Sequence, residues 1–170
     1  MRAALLSGLA AVAALASPAS AQDAWSRAAL PSGLASVETP CAEGRAQISS
    51  TAGGEAVRCM EGTVEIGVGL TNATAYGIVK PDVAVFDGFI ATAREKAKSQ
   101  DDLPLSTFRG RRSLMLVQEG RAMALVEMSR ETMLLFMVRP LPGKTPDEPL
   151  AALLDRMMNS LEIHDESAKS

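Results

Sequence analysis

The sequence is poor in the side chains that most catalytic and metal centres require: one His and two Cys in 170 residues. A Ser-His-acid relay needs an imidazole placed by packing. The one imidazole, His164, stands six residues from the end, beyond the last apolar helix position, where a frayed tail is expected. Clustered Cys and His for a zinc centre are absent, and no G-x-G-x-x-G or Walker-type loop cradles a phosphate. Aromatic residues amount to 4%, too few for a carbohydrate-stacking platform or a single-strand nucleic-acid binder. There is no basic excess either. Seventeen Lys and Arg against twenty Asp and Glu leave −3, which argues against nucleic acid as a partner. Paired carboxylates occur at Asp101-Asp102 and Asp147-Glu148, where loops and helix caps explain them better than acid–base work does. The inventory calls for no cofactor and no metal, and it favours a non-enzymatic protein.

What is present begins with a leader. Arg2 supplies a positive n-region, Ala3 to Ala16 form a nearly unbroken run of small and aliphatic residues, and Pro18 precedes Ala19-Ser20-Ala21, an A-x-A cleavage site. The apolar run falls short of the ~20 residues needed to span a bilayer. Residues 1–21 are therefore expected to be a signal peptide, with 22–163 as one domain and 164–170 as a disordered tail. No later segment reads as membrane-spanning, so the mature protein is expected in the periplasm of a bacterium, or secreted. An oxidising compartment favours joining Cys41 and Cys59, which lack both C-x-x-C spacing and a neighbouring His. Residues 45–50 alternate weakly and Ala52-Gly53-Gly54 supplies a turn, so the segment between the cysteines reads as a hairpin.

Residues 22–40 read as irregular, with Trp25 pinning them to the body. Arg58 to Thr71 reads as one strand, with Val64, Ile66 and Val68 alternating against Glu65 and Gly67. Asp82 can cap a helix running to about Lys98, with Phe86, Phe89, Ile90, Ala93 and Ala97 on one face. Between Ser106 and Arg139, Glu119-Gly120 and Arg130-Glu131 break strongly apolar runs, implying two consecutive hairpins. Two-residue loops there would place Met115, Val117, Ala122, Ala124, Val126, Met128, Met133, Leu135 and Met137 on one face. Leu114, Leu116, Met123, Leu125, Leu134, Phe136 and Val138 would fall on the other. Both faces are apolar, so each needs something packed against it. Thr145-Pro146-Asp147-Glu148 has capping-box spacing, with Asp147 as an alternative cap. Leu150, Leu153, Leu154, Met157, Met158 and Leu161 then follow helical spacing. The expected class is α+β: an antiparallel sheet covered by amphipathic helices.

This order of elements resembles the PsbP-like sandwich, found in photosystem-II extrinsic subunits and a small Ran-binding protein. The closing helix ending Asn159-Ser160-Leu161-Glu162-Ile163 adds to the likeness. More narrowly, with Pro40-Cys41 after the leader and Phe86-Asp87-Gly88 in the first helix, the chain resembles short exported proteins of alphaproteobacteria. The resemblance implies a binding or assembly role and carries over no functional residue.

Arg109, Arg111 and Arg112, with Arg121 nearby in the trial register, form the one basic cluster. It is a candidate contact for an anion or a partner; a solvated hairpin end that keeps an edge from aggregating is the plainer interpretation. Three functions stand. The first is an interaction or assembly module that binds an envelope protein or forms a homodimer through its sheet. The second is a carrier of a small apolar ligand between sheet and helix. The third, and weakest, is an enzyme using carboxylates and arginines. Met115, Met128, Met133 and Met137 share a face in the trial register and invite a Cu(I) hypothesis, but thioethers among Leu, Val and Ala are expected to be core packing.

Overall fold

The computed structural model describes residues 25–76, 83–97, 103, 105–118 and 120–164. The expected leader, the Asp82 cap, Lys98, Asp101-Asp102, Glu119 and tail residues 165–170 lie outside them. The strands in chain order are β1 (Ser26–Ala29), β2 (Ala35–Thr39), β3 (Gln47–Thr51), β4 (Gly54–Glu61) and β5 (Val64–Asn72). After a 3-10 turn (Ala73–Tyr76) and helix α1 (Val85–Ala97) come β6 (Leu105–Phe108), β7 (Arg111–Gln118), β8 (Arg121–Glu127) and β9 (Thr132–Pro140). Helix α2 (Leu150–Asn159) and the short β10 (Glu162–Ile163) close the described chain. Among the described residues these strands form two antiparallel sheets, β1-β2-β10 and β3-β4-β5-β9-β8-β7-β6. The α+β class expected from the sequence is thus present.

Turn chemistry explains where the strands break. Residues 58–71 are not one strand, as their continuous alternation suggests. Glu61 pairs with Val64 across a two-residue loop, and Gly62 sits at φ +61° in its first central position. A glycine there suits the tight loops whose twist matches a hairpin. The segment 22–40, expected to be irregular, contains the β1–β2 hairpin in its described part. Its strands are four and five residues long, too short to show a period against the small and polar residues around them. Trp25 does pack onto the main core, with the Arg156 guanidinium 4.2 Å from its ring centre.

The register of β9 against β8 departs from the expected one. The β7–β8 pairing is the one two-residue loop predicts, with Gln118 opposite Arg121. The β8–β9 pairing is shifted by one residue, so that Ala124 faces Phe136 and Val126 faces Leu134. Ser129 belongs to the turn: its Oγ accepts the Glu131 N–H at 3.1 Å, and the N–H groups of Met128 and Ser129 both donate to Thr132 O. A one-residue slip moves every side chain of a strand to the other face. Leu134, Phe136 and Val138 therefore join Ala122, Ala124, Val126, Ile66 and Val68 on one face. Met133, Leu135 and Met137 join Leu114, Leu125 and Met123 on the other. The expected grouping of Met115, Met128, Met133 and Met137 on one face is overturned, because the first two and the last two lie on opposite sides of the sheet.

Each face has its own core. On the first, Leu153, Leu154, Met157 and Met158 of α2 and Leu30, Ala35 and Val37 around β2 lie in one buried cluster with the sheet residues. On the second, Val85, Phe86 and Ile90 of α1 cluster with Leu114, Leu125 and Met133. Helix α2 begins at Leu150, later than either expected cap, and no side chain caps it. Pro149 explains the delay: it biases Glu148 away from helical φ/ψ and cannot donate an N–H inside the first turns. The closing helix also ends sooner than expected, at Asn159, and Glu162 and Ile163 pair with Ser36 and Ala35 of β2. His164 is consequently not frayed. Its N–H donates to Leu34 O at 2.9 Å.

Candidate functional site

The four arginines singled out from the sequence do not converge. Arg109 and Gly110 form the β6–β7 loop with φ of +50° and +78°, the two left-handed residues that a type I′ turn requires. From there the Arg109 guanidinium donates to the carbonyls of Asn159 and Leu161, satisfying the end of α2. Arg111 and Arg112 are sequential in a strand and so point to opposite faces. Arg111 donates to Met128 O at 2.7 Å. Arg112 grips Glu127 with two hydrogen bonds (2.6 and 2.7 Å), meets Asp87 of α1 at 2.7 Å and lies over the Phe86 ring. Its pKa is raised by the hydrogen bonds it donates to Glu127 and Asp87, and that of Glu127 is lowered chiefly by the hydrogen bond it accepts from Arg112. This set clamps α1 to the sheet. Arg121 is at the far end of β7 from Arg111, about 23 Å away at ~3.3 Å per residue.

Arg121 has other company. Continuing the β8–β9 register by one pair places it beside Arg139, and Arg139 is paired with Glu65 on β5. Glu65 was read from the sequence only as the polar side of an alternating strand. In the structure it is 3% exposed. Arg139 Nε and Nη2 reach its Oε2 at 2.8 and 2.7 Å, and Arg58 Nε on β4 donates to its Oε1. Burial by itself would push the Glu65 carboxyl up. The hydrogen bonds and charges of Arg58 and Arg139 outweigh it, and the pKa lies below the usual carboxylate value. The signal in the sequence was present but not usable: Arg58, Glu65 and Arg139 come together only once the strand order β4-β5-β9 is known.

Beside this triad the sheet is hollow. Gly67 and Gly69 follow Glu65 on the same face of β5, and with no side chains they leave a trough of about 330 Å³. Its walls are Ala56 and Arg58 on β4 and Leu135 and Met137 on β9. The trough is an open shelf on the face that also carries α1; its lining is mainly apolar and its charged groups are gathered at the Glu65 end. Half of this face, over β7, β8 and β9, carries the α1 cluster. Among the described residues no helix packs on the β4–β5 half.

The disulfide expected from compartment and spacing is formed. Cys41 and Cys59 are both buried, their Cα atoms 5.7 Å apart, and the bond ties the segment after β2 to β4. Ser36 Oγ lies 3.2 Å from Nε2 of His164, the sole imidazole. Ser36 is 4% exposed and its oxygen also accepts from Arg27 Nη1 at 3.2 Å, so the pair serves to fasten β10 to β2. Comparison with protein-family models, curated proteins and solved structures finds no match to this chain.

Proposed function

We propose that the protein is an exported, non-enzymatic interaction module, a PsbP-like sandwich in which α1 and α2 cover the two faces of the large sheet and leave one stretch open for a partner. The observation that carries this is the open apolar trough over Gly67 and Gly69 beside the Arg58–Glu65–Arg139 triad. A carrier of a small apolar ligand would enclose its cargo; this trough is a shelf, the shape that suits a protein surface. The apolar leader and the Cys41–Cys59 disulfide support export to an oxidising compartment. Arg109, Arg111 and Arg112 are held by carbonyls and carboxylates, which favours a structural role for those three; Arg121 donates to Gln118 Oε1 at 3.2 and 2.9 Å, and of the four it is the one placed beside the triad.

Photocrosslinking tests this. A photoreactive residue replacing Met137 in the trough is expected to capture a protein in the native envelope. The same residue at Val117, 59% exposed on the opposite face, should not. Equal capture at the two positions, or none at Met137, refutes the assignment.

A further inference from the structure

Two features of the trough define what the partner must present. Its floor is backbone at Gly67 and Gly69, walled by Ala56, Leu135 and Met137, so an apolar side chain can descend between β4 and β9. One pleat repeat along β5, about 7 Å away, the Glu65 end carries excess positive charge. Arg58 and Arg139 face a single carboxylate. Among the described residues no hydrogen bond engages Arg58 Nη1, Arg58 Nη2 or Arg139 Nη1, and both side chains are close to half exposed. A guanidinium with spare donors beside an apolar surface is a carboxylate receptor.

We infer that the trough binds an extended polypeptide segment of a partner protein in which an apolar residue and an acidic residue stand two positions apart. In such a segment side chains at i and i+2 lie on one face about 7 Å apart. The apolar one fills the space over Gly67 and Gly69 while the carboxylate bridges the free edges of Arg58 and Arg139. The inference rests on the interaction-module reading and adds the partner's chemistry to it.

The test uses the disulfide-intact mature protein with ¹³C-methyl-labelled methionine and the peptide acetyl-Leu-Leu-Ser-Glu-amide. Its twin carries Gln for Glu, and dodecanoate represents an anionic amphiphile. The acidic peptide is expected to shift the Met137 methyl resonance saturably, the Gln twin to bind at least fivefold more weakly, and dodecanoate to bind more weakly than the acidic peptide. Gly67→Val, whose side chain would occupy the floor, should abolish the shift. Because a Cβ there makes only ordinary contact with Val57 O at 3.5 Å, the variant is expected to fold. Arg58→Gln provides an independent variant and should erase the difference between the acidic peptide and its twin. An unmoved Met137 resonance, equal binding of the twins, or binding by Gly67→Val overturns the inference, as does tighter binding of dodecanoate. Protein capture at Met137 with no preference for the acidic peptide would sink this inference alone. Absence of protein capture at Met137 would sink the module reading itself.

Discussion

If Gly67 is kept for the space it leaves, replacing it should make the protein more stable. Gly67 lies in the middle of β5, between β4 and β9, and its φ is not in the left-handed region. Glycine inside a strand costs roughly 0.5–1 kcal/mol relative to Ala, because the unfolded chain has more conformations to lose. A Cβ added at Gly67 meets only Val57 O at 3.5 Å, an ordinary contact. Gly67→Ala should therefore recover most of that cost. The neighbouring glycines give internal controls. At Gly69 a Cβ would sit 3.2 Å from Glu55 O, a backbone atom that cannot swing away, so the gain should be offset. At Gly54 it would lie 2.1 Å from Leu70 O at φ +145°, and substitution should be strongly destabilising. Urea unfolding followed through the lone Trp25 reads the series. With an m-value of ~2 kcal/mol/M, Gly67→Ala should raise the midpoint by roughly 0.2–0.4 M without changing the slope. A midpoint lowered by Gly67→Ala, or the order Gly54 above Gly67, would refute the reasoning. So would a stabilised Gly67→Ala that leaves the trough's ligand chemistry untouched, since the space would then serve nothing.

The remaining expectations concern what holds the fold. Leu154 is fully buried among the sheet residues, and Leu154→Ala should destabilise by ~2–5 kcal/mol in the same urea assay; a loss below about 0.5 kcal/mol would place it at the surface. The Cys41–Cys59 bond closes a loop of 18-residue separation, and its reduction should cost on the order of 3 kcal/mol. Thiol labelling of the unreduced, denatured protein should find no reactive cysteine. Because the folded Glu65 pKa is lowered, its stabilisation is complete above the unfolded value of about 4.3 and is lost as pH falls through the folded one. Unfolding free energy should thus fall more steeply on acidification below that pH in the native protein than in Glu65→Gln. Thr39 Oγ1 is buried with no partner among the described residues, so Thr39→Val should be neutral or stabilising by up to about 1 kcal/mol, checked by thermal midpoint.

The sequence alone determined the local, periodic features. The α2 stripe is helical because Leu150 to Met158 repeat at 3.6, and the strands after Ser106 follow from apolar runs between turn residues. The disulfide was expected from the spacing and from the oxidising compartment that the leader suggests. The residues that needed something packed on each face of the sheet were also legible, because alternation of apolar with polar was missing there. Tertiary structure alone decided the rest. Whether Ser129 ends a strand or makes a turn hydroxyl contact is a matter of one residue, and it reverses which face Met133, Leu135 and Met137 occupy. Pairing between strands far apart in the chain cannot be read from either strand by itself. Arg58, Glu65 and Arg139 look like scattered surface charge until β4, β5 and β9 lie side by side, and Gly67 and Gly69 look like weak strand residues until their neighbours rise around them. Helical periodicity is local and is written into consecutive residues; a trough across three strands depends on register, which the chain settles only when the sheet closes.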